Sequence, residues 1–396
     1  KPALRFKGFT DPWEQRKLGD AFERVVRKNT NNESRLPLTI SAQDGLVDQI
    51  TYFNNRVASR DVSNYYLVYN GEFAYNKSTS DGYPFGAVKR LDWYEKGVLS
   101  TLYIVFALKH PEKDDSDFMT VFYDTDRWHR GVAERAAEGA RNHGLLNISA
   151  DDFFDIDTTM PEDKVEQEKI GRLLKKLDTL ITLHQRKYEK LVNIKKSMLD
   201  KMFPQNGASV PEIRFKGFTD PWEQRKFGEV VDKYEDPVET PHDGYYRLGI
   251  RSHAKGTFHS YVEKGHELET AQMYRVAAGN FIVNITFGWE HAVAITNESD
   301  AGKLVSHRFP QYSFHDDMLP EFFKYVIADE DFRHWLWLAS PGGAGRNRVL
   351  KLDEMLNYEM VLPSKEEQQR IAAIFRNLDT LITLHQRKLE KLQNIK

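Results

Sequence analysis

The stretch LDTLITLHQRKYEKL, Leu177 to Leu191, returns as LDTLITLHQRKLEKL at Leu378 to Leu392 with one residue changed. Each copy is rich in Leu, Lys, Gln, Arg and Glu and contains neither Gly nor Pro, a composition typical of an α-helix. Apolar residues recur alternately four and three positions apart, which is the pattern of a coiled-coil seam. The predicted seam residues are Leu177, Ile181, His184 and Tyr188 in the first copy, and Leu378, Ile382, His385 and Leu389 in the second.

Two similar stripes in one chain predict that the two helices pack against each other. The first helix is predicted from about Lys164 to Phe203, where Pro204 ends it. Its 38 residues from Glu166 to Phe203 span roughly 57 Å at about 1.5 Å per residue. Connectivity then favours an antiparallel pair with similar domains related by an approximate two-fold axis. The alternative, in which each helix packs only on its own domain, stays open.

The opening of the chain is also repeated. RFKGFTDPWEQRKLG at Arg5 to Gly19 recurs as RFKGFTDPWEQRKFG at Arg214 to Gly228, again with one change. Asp11, Pro12 and Glu14 read as an N-cap, an N1 proline and a capping-box partner, which predicts a short helix at the start of each unit.

Repeats at both ends predict an α+β chain of two mixed α/β domains and two long helices, with boundaries at 1–162, 163–204, 205–362 and 363–396. The segments Tyr66 to Ser78 and Tyr274 to Thr286 each alternate around a glycine, as paired strands do. Helical segments are predicted within Asp126 to Gly139 and Leu319 to Ala339.

Composition bounds the function. The 396 residues carry 56 basic and 59 acidic side chains, for a net charge of −3, so contact with nucleic acid must come from local basic patches or a basic partner. The absence of cysteine excludes disulfides, thiolate metal sites and a cysteine nucleophile, and fits a cytoplasmic location. No apolar run reaches membrane-spanning length and no metal-ligand spacing is recognised, so we expect neither a membrane contact nor a metal site.

Two loops at corresponding places in the two domains combine small residues with Arg and Asn. Glycine permits close backbone approach, Arg pairs with guanine or phosphate, and Asn pairs with adenine, although a solvated turn is the alternative. Asn76 and Asn284, at corresponding ends of strand-like runs, are further candidates. The predicted DNA-binding residues are Asn76, Lys77, Arg141, Asn142, His143, Asn284, Arg346, Asn347 and Arg348.

The chain combines a duplicated opening, variable middle segments, a segment from a proline to Glu-Gln-x-x-Ile before each long helix, and the repeated LDTLITLHQRK helices. Together these features resemble the specificity subunit of type I restriction-modification systems. The resemblance implies two target-recognition domains that each read one half of a split DNA sequence, with the helix pair setting the gap between the halves. It also implies partners: two methyltransferase (modification) subunits that use S-adenosylmethionine, and restriction subunits that translocate along double-stranded DNA and cut it with ATP and Mg. These cofactors belong to the partners.

The chain itself is then expected to be non-catalytic. A methyltransferase would show an Asn/Asp-Pro-Pro-aromatic motif and a glycine-rich cofactor loop, and the sequence has neither. Two alternatives remain: a two-domain coiled-coil adaptor for protein or glycan ligands, and a restriction or methyltransferase enzyme in its own right.

Overall fold

The computed structural model describes residues 2, 4–41, 44–80, 82–136, 144–205, 207–270, 272–342 and 348–396. Its contacts divide the chain into two compact units. Unit 1 comprises Lys1–Leu183 with Lys391–Lys396, and unit 2 comprises His184–Glu390. The division passes through the first long helix, whose residues therefore belong to both units.

Unit 1 is a mixed α/β unit that the first long helix follows. Its strands are β1 Glu14–Lys17, β2 Phe22–Arg24, β3 Leu38–Ser41, β4 Gly45–Asp48, β5 Tyr66–Tyr69, β6 Phe73–Asn76, β7 Ala87–Arg90, β8 Lys96–Leu99, β9 Ile104–Leu108 and β10 Asp157–Met160. Its helices are α1 Leu18–Ala21, α2 Gln49–Phe53, α3 Ser116–Tyr123, α4 His129–Arg135, α5 Ala150–Phe154 and the long helix α6 Lys164–Met202.

Unit 2 has the same kind of composition. Its strands are β11 Glu223–Lys226, β12 Val231–Tyr234, β13 Pro237–Glu239, β14 Tyr245–Ile250, β15 Thr257–Val262, β16 Gln272–Arg275, β17 Phe281–Val283, β18 Val293–Ile295, β19 Leu304–Val305, β20 Gln311–Phe314 and β21 Glu359–Leu362. Its helices are α7 Pro320–Val326, α8 Glu330–Leu338, α9 Leu352–Leu356 and α10 Lys365–Ile395, with short 3-10 helices at Phe227–Glu229 and Gly288–Glu290.

The sheets of the two units have equivalent topologies. Unit 1 has a four-stranded sheet in the order β2-β9-β6-β7, and unit 2 has one in the order β12-β20-β17-β18. The antiparallel pair β5-β8 of unit 1 corresponds to β16-β19 in unit 2, where these strands belong to a five-stranded sheet. The prediction of two similar mixed α/β folds is therefore confirmed.

The predicted opening helix is wrong. Glu14–Lys17 forms strand β1, which pairs antiparallel with β10, and Glu223–Lys226 pairs in the same way with β21. The helical turn begins only at Leu18, after Lys17, whose backbone N–H donates to the Asp20 carboxylate over 2.9 Å. Pairing with a distant strand outweighs the local capping signal at Asp11 and Pro12, since propensity is a weak prior.

The strands on either side of the repeated glycine are present but do not pair with each other. β5 pairs with β8, whereas the next strand, β6, pairs with β7 and β9. Gly71, with φ 86°, and Gly279, with φ 81°, lie in the left-handed region and carry the chain from one sheet to the next. The glycine is needed for this backbone conformation, so the prediction of a turn was right and that of the pairing was wrong.

The predicted helical segments are shorter than the sequence indicated. Helix α4 covers His129–Arg135 of the predicted segment Asp126 to Gly139, whose last three residues lie outside the described ranges. The segment Leu319 to Ala339 contains two helices, α7 and α8, rather than one. Helix α8 begins afresh where the Asp329 carboxylate accepts from the Asp331 N–H over 2.8 Å.

Two buried glutamines explain why the motif at the start of each long helix is repeated. The Gln167 amide accepts from the Asp115 N–H over 2.8 Å and donates to the Pro161 carbonyl over 2.7 Å. Gln368 does the same with Leu319 and Pro363, over 2.9 and 3.0 Å. Each glutamine thus ties a helix of the α/β unit to the first turn of the long helix.

The two long helices pack together in antiparallel fashion. Within unit 2, Lys195 of α6 donates to Asp379 of α10 over 2.6 Å, while His184, which lies earlier in α6, contacts His385, which lies later in α10. Within unit 1, Lys396 pairs with Asp178 in the same sense. Leu177, one of the predicted seam residues, is buried. The predicted antiparallel helix pair is confirmed.

Candidate nucleic-acid interface

Five of the predicted DNA-binding residues fall in segments that the structure does not describe. Arg141, Asn142 and His143 lie within 137–143, and Arg346 and Asn347 lie within 343–347. Their contact with DNA remains a prediction from sequence.

Asn76 and Asn284 occupy equivalent positions at the ends of β6 and β17. The Asn76 side-chain carbonyl accepts from the Ser78 N–H over 3.0 Å, and the Asn284 carbonyl accepts from the Thr286 N–H over the same distance. Each asparagine therefore closes a turn by binding the backbone two residues on. A pairing with adenine through both amide atoms would compete with this turn, because one of the two atoms is already engaged.

Lys77 points toward its own unit. Its ammonium donates to the Ile148 carbonyl over 3.3 Å, and its backbone carbonyl accepts from the Leu146 N–H over 3.0 Å. These contacts join the end of β6 to the segment that precedes α5. Lys77 thus has a local structural partner, and its contact with DNA remains a prediction from sequence.

Arg348 lies between two tryptophans. Its guanidinium carbon is 4.9 Å from the centroid of the Trp337 ring and 6.0 Å from that of Trp289. Trp337 is 42% exposed, so the cation and the indole face share a surface location. Such stacking holds the planar guanidinium in one orientation and leaves its N–H donors at the edge.

A cleft of about 440 Å³ in unit 2 contains the predicted Asn284. Arg247 and Phe258 line it from the β14–β15 hairpin, and Phe287 lines it from the turn that Asn284 closes. Phe258 and Phe287 are 40% and 45% exposed, which is unusual for such large apolar side chains beside a core. The cleft therefore presents a cation and aromatic faces to solvent.

One basic segment at this cleft was not identified from the sequence. The turn Arg251-Ser252-His253-Ala254-Lys255-Gly256 connects β14 to β15, and its Arg, His and Lys side chains are all exposed. The signal in the sequence is a cation or imidazole at every second residue. This run could not be recognised from the sequence alone, because the sequence does not show which surface cations are paired with acids.

The histidines of the helix pair are in direct contact. Nδ1 of His184 lies 2.8 Å from Nδ1 of His385, with the ring centroids 5.0 Å apart. One ring must donate and the other accept, so the hydrogen bond requires at least one neutral imidazole. Burial, then His184, Lys187 and Lys388, lower the pKa of His385, because each disfavours a second positive charge.

The contacts give no sign of a metal site or membrane segment within the described ranges. No group of three or more His, Cys, Asp or Glu side chains there is placed to hold a metal ion. In the same residues, no helix combines the length and the apolar character that crossing a membrane requires.

Comparison with known proteins connects this architecture to DNA recognition. Residues 220–394 match the model of the type I restriction modification DNA specificity domain. The chain is 22% identical over 317 residues to the type I restriction enzyme MjaVIII specificity subunit of Methanocaldococcus jannaschii, covering 76% of this chain and 72% of that protein.

The fold is similar to that of a solved S subunit. The S subunit of a type I restriction-modification system from M. genitalium superimposes with a TM-score of 0.55 at 12% identity, covering all of this chain and 96% of that one. The HsdS subunit from Thermoanaerobacter tengcongensis gives a TM-score of 0.41 at 14% identity, covering 97% and 94% of the two chains.

Proposed function

We propose that the chain is a specificity subunit of a type I restriction-modification system and that each of its two units reads one half of a bipartite DNA sequence. The observation that carries this proposal is that the two units share the same structural contacts, which form a common frame, but have different surface loops. Arg5 binds Glu166 through two N–H groups, over 2.6 and 2.7 Å, and Arg214 binds Glu367 in the same way, over 2.8 Å twice. The hairpin turns and strand-end loops attached to that frame differ between the units, as readers of unlike half-sites require.

The proposed domain division follows the helix bounds. Segments 1–162 and 205–362 are the target-recognition domains, and 163–204 and 363–396 are the spacer helices that fix the gap between the half-sites. In logic this resembles a dimeric repressor, which reads two half-sites at a set separation. Because the two domains differ in sequence, the two half-sites are expected to differ as well.

Partner binding is supported by repeated residues that neither the helix pair nor a core needs. Leu183 in α6 and Leu384 in α10 are equivalent positions of the repeat, and both are 44% exposed. The neighbouring Arg186 and Arg387 are also identical and exposed. An exposed leucine kept at the same place in both copies fits two copies of one partner, which we propose to be two methyltransferase subunits.

The chemistry belongs to these partners in our proposal. Methyltransferase subunits bind S-adenosylmethionine and methylate adenine, restriction subunits use ATP and Mg, and the whole assembly is cytoplasmic. Extrusion of the adenine from the duplex takes place in the partner, so this chain must hold the DNA with the target base accessible. The adaptor for protein or glycan ligands finds no support among the relatives described above.

Exchange of one recognition domain tests the proposal. Residues 28–160 are replaced by the corresponding segment of a relative with a different target, and the methylated adenines are mapped by sequencing DNA from cells that carry the complete system. One half of the methylated sequence is expected to change and the other to stay. A change in both halves, or in neither, contradicts the modular reading.

The spacer role has a separate test. Four residues inserted after Leu183 lengthen α6 by roughly 6 Å, since each helical residue adds about 1.5 Å. The gap between the methylated half-sites is expected to change, or activity to be lost. Methylation with an unchanged gap would remove the helix pair from its role as spacer.

Two further experiments separate the remaining assignments. The isolated chain incubated with S-adenosylmethionine and DNA is expected to transfer no methyl group, and turnover without partners would make it an enzyme in its own right. Arg141→Ala and Arg346→Ala are each expected to cost about 1 to 3 kcal/mol of discrimination at one base pair. Uniform weakening on all sequences would instead identify these arginines as phosphate contacts.

A further inference from the structure

The turn between β14 and β15 concentrates exposed cations. Arg251, His253 and Lys255 are exposed, whereas the alternate residues Ser252 and Ala254 are half-buried. Within the described part of the chain, none of the three exposed side chains has a carboxylate within ion-pair distance. The Arg251 guanidinium instead donates to the Thr257 carbonyl and lies 5.2 Å from the Phe258 ring centroid.

Two other cations of unit 2, the exposed Lys233 and the half-buried Arg225, are neutralised locally. Lys233 lies 2.6 Å from Glu235, and Arg225 lies 2.7 Å from Asp317. In a chain with a net charge of −3, a cluster of exposed cations without ion-paired acids is a local positive patch. It supplies the kind of basic surface that contact with a polyanion requires.

The backbone of this turn is held in an unfavourable conformation. His253 and Ala254 both have positive φ, 61° and 50°, a region that residues with a Cβ rarely adopt. The His253 N–H donates to the Glu290 carbonyl over 3.0 Å, and the Ala254 N–H donates to the His291 carbonyl over 2.9 Å. These bonds hold the turn before any ligand arrives, an arrangement that recurs at functional sites.

The same turn borders the cleft that contains Asn284. The Glu290 carboxylate, the acid of that cleft, accepts from the Ser252 hydroxyl over 2.8 Å and so faces the half-buried side of the turn. Arg247 lies in the cleft on the strand that leads into the turn. Cationic side chains therefore lie both at the tip of the hairpin and in the cleft, which also contains the Glu290 carboxylate.

We propose that the turn Arg251–Gly256 grips the DNA backbone at the half-site of unit 2, with Arg251 and Lys255 each donating to a phosphate. The inference rests on the proposed function and goes beyond it, because it assigns this grip to one half-site only. In unit 1, Pro37, which precedes β3, bridges in parallel to β8, the partner of β5. In unit 2, Arg247 of β14 bridges in parallel to β19, the partner of β16. The hairpin β3–β4 of unit 1 is therefore the equivalent of the hairpin β14–β15. The sequence Ser41-Ala42-Gln43-Asp44-Gly45 at the junction of β3 and β4 contains an acid and no cation.

The salt dependence of binding tests this assignment. The complete assembly is titrated with a labelled duplex carrying its methylated sequence, and with a scrambled duplex, at several salt concentrations by fluorescence anisotropy. Each neutralised phosphate contributes about 0.9 to the slope of log K against log salt. Arg251→Ala and Lys255→Ala are each expected to reduce the magnitude of that slope by about 0.9 and to weaken binding about fivefold at about 0.15 M salt.

Matched variants serve as controls. Lys233→Ala removes an exposed lysine of the same unit that already has a carboxylate partner, and is expected to leave the slope unchanged. Lys255→Arg retains the charge and is expected to retain the slope. Thermal unfolding of each variant shows whether the unit is intact.

The outcomes separate the inference from the function on which it rests. An unchanged slope in both alanine variants, with specific binding intact, overturns the phosphate grip and leaves the proposed function standing. A changed methylated sequence also overturns it, because the turn would then read bases. If the unmutated assembly binds the duplex with its methylated sequence no more tightly than the scrambled duplex, the proposed function itself is contradicted.

Discussion

Replacing Arg214 by alanine is expected to destabilise unit 2 severely. Arg214 lies in the arm before β11, and Glu367 lies in the first turn of α10 with 1% of its side chain exposed. Both carboxylate oxygens accept from the guanidinium over 2.8 Å, and this hydrogen bonding raises the pKa of Arg214 above its ordinary value. The variant leaves a buried carboxylate without its cation.

The expected loss is about 3 to 5 kcal/mol, the usual cost of removing one partner of a buried ion pair. Most of this cost reflects the charge that remains on Glu367 rather than the strength of the pair. The double variant Arg214→Met with Glu367→Leu removes both charges and is expected to recover most of the loss. Arg5→Ala in unit 1 should cost more than Arg214→Ala, since the third Arg5 nitrogen donates to the Asp11 carbonyl over 2.5 Å.

Amide hydrogen exchange of the full-length chain provides the assay. Arg214→Ala should raise the exchange rates of β11, β21 and the first turn of α10, while the amides of β1 and β10 keep their protection. The free-energy loss follows from the change in protection. A loss below about 1 kcal/mol, or a double variant as unstable as the single one, would refute the view that the buried charge sets the cost.

Three further predictions concern stability. Acidification should destabilise the helix pair, because the pKa of His385 is lowered in the folded state. The unfolded chain therefore takes up a proton at higher pH than the folded chain does. The stability is fully present above about pH 6.5 and falls below that pH. His184→Asn should flatten the profile of Tm against pH, and a Tm that rises on acidification would contradict the sign. Ala254→Gly should stabilise unit 2 by about 1 kcal/mol in urea unfolding, because glycine tolerates φ 50° without the left-handed penalty, and a loss would show that the turn is unstrained. Gly171→Ala should cost about 1 to 3 kcal/mol, since its Cβ would lie 2.6 Å from the Phe118 nitrogen, and unchanged exchange protection of α3 would contradict the close approach.

The long helices could be predicted closely because their signal is local. The apolar spacing and Pro204 placed the first helix at about Lys164 to Phe203, and it spans Lys164–Met202. Antiparallel pairing was predicted from two matching stripes in one chain, and the contact of His184 with His385 agrees with it. Periodicity, composition and a helix breaker all lie within the segment that they describe.

The strands beside Gly71 show where local information ends. Alternation identified β5 and β6, and the glycine identified the change of direction between them. The partner of each strand lies elsewhere in the chain, β8 for one and β7 with β9 for the other. Register depends on which faces are buried in the assembled unit, so a single segment cannot specify it.

The candidate site was predicted less completely than the fold. Asn76 and Asn284 were identified by their equivalent positions, and the structure gives both a role in closing a turn that sequence could not distinguish from base contact. The cationic turn was missed, because the missing carboxylate partners around Arg251 and Lys255 become evident only after the other ion pairs are assigned. Charge counted along a sequence does not separate paired from unpaired cations.

The residues that the duplication preserved fall into groups with different physical reasons. Gln167 and Gln368 are buried, and each must satisfy a donor and an acceptor at a helix start, so any change leaves an unpaired group. His184 and His385 are hydrogen-bonded to each other across the helix pair. Leu183 and Leu384 have neither reason: each is 44% exposed, and loss of the side chain would cost the isolated chain little. In our proposal, identity at such positions reflects a surface that is covered in the assembly, and two equal surfaces fit two equal partners.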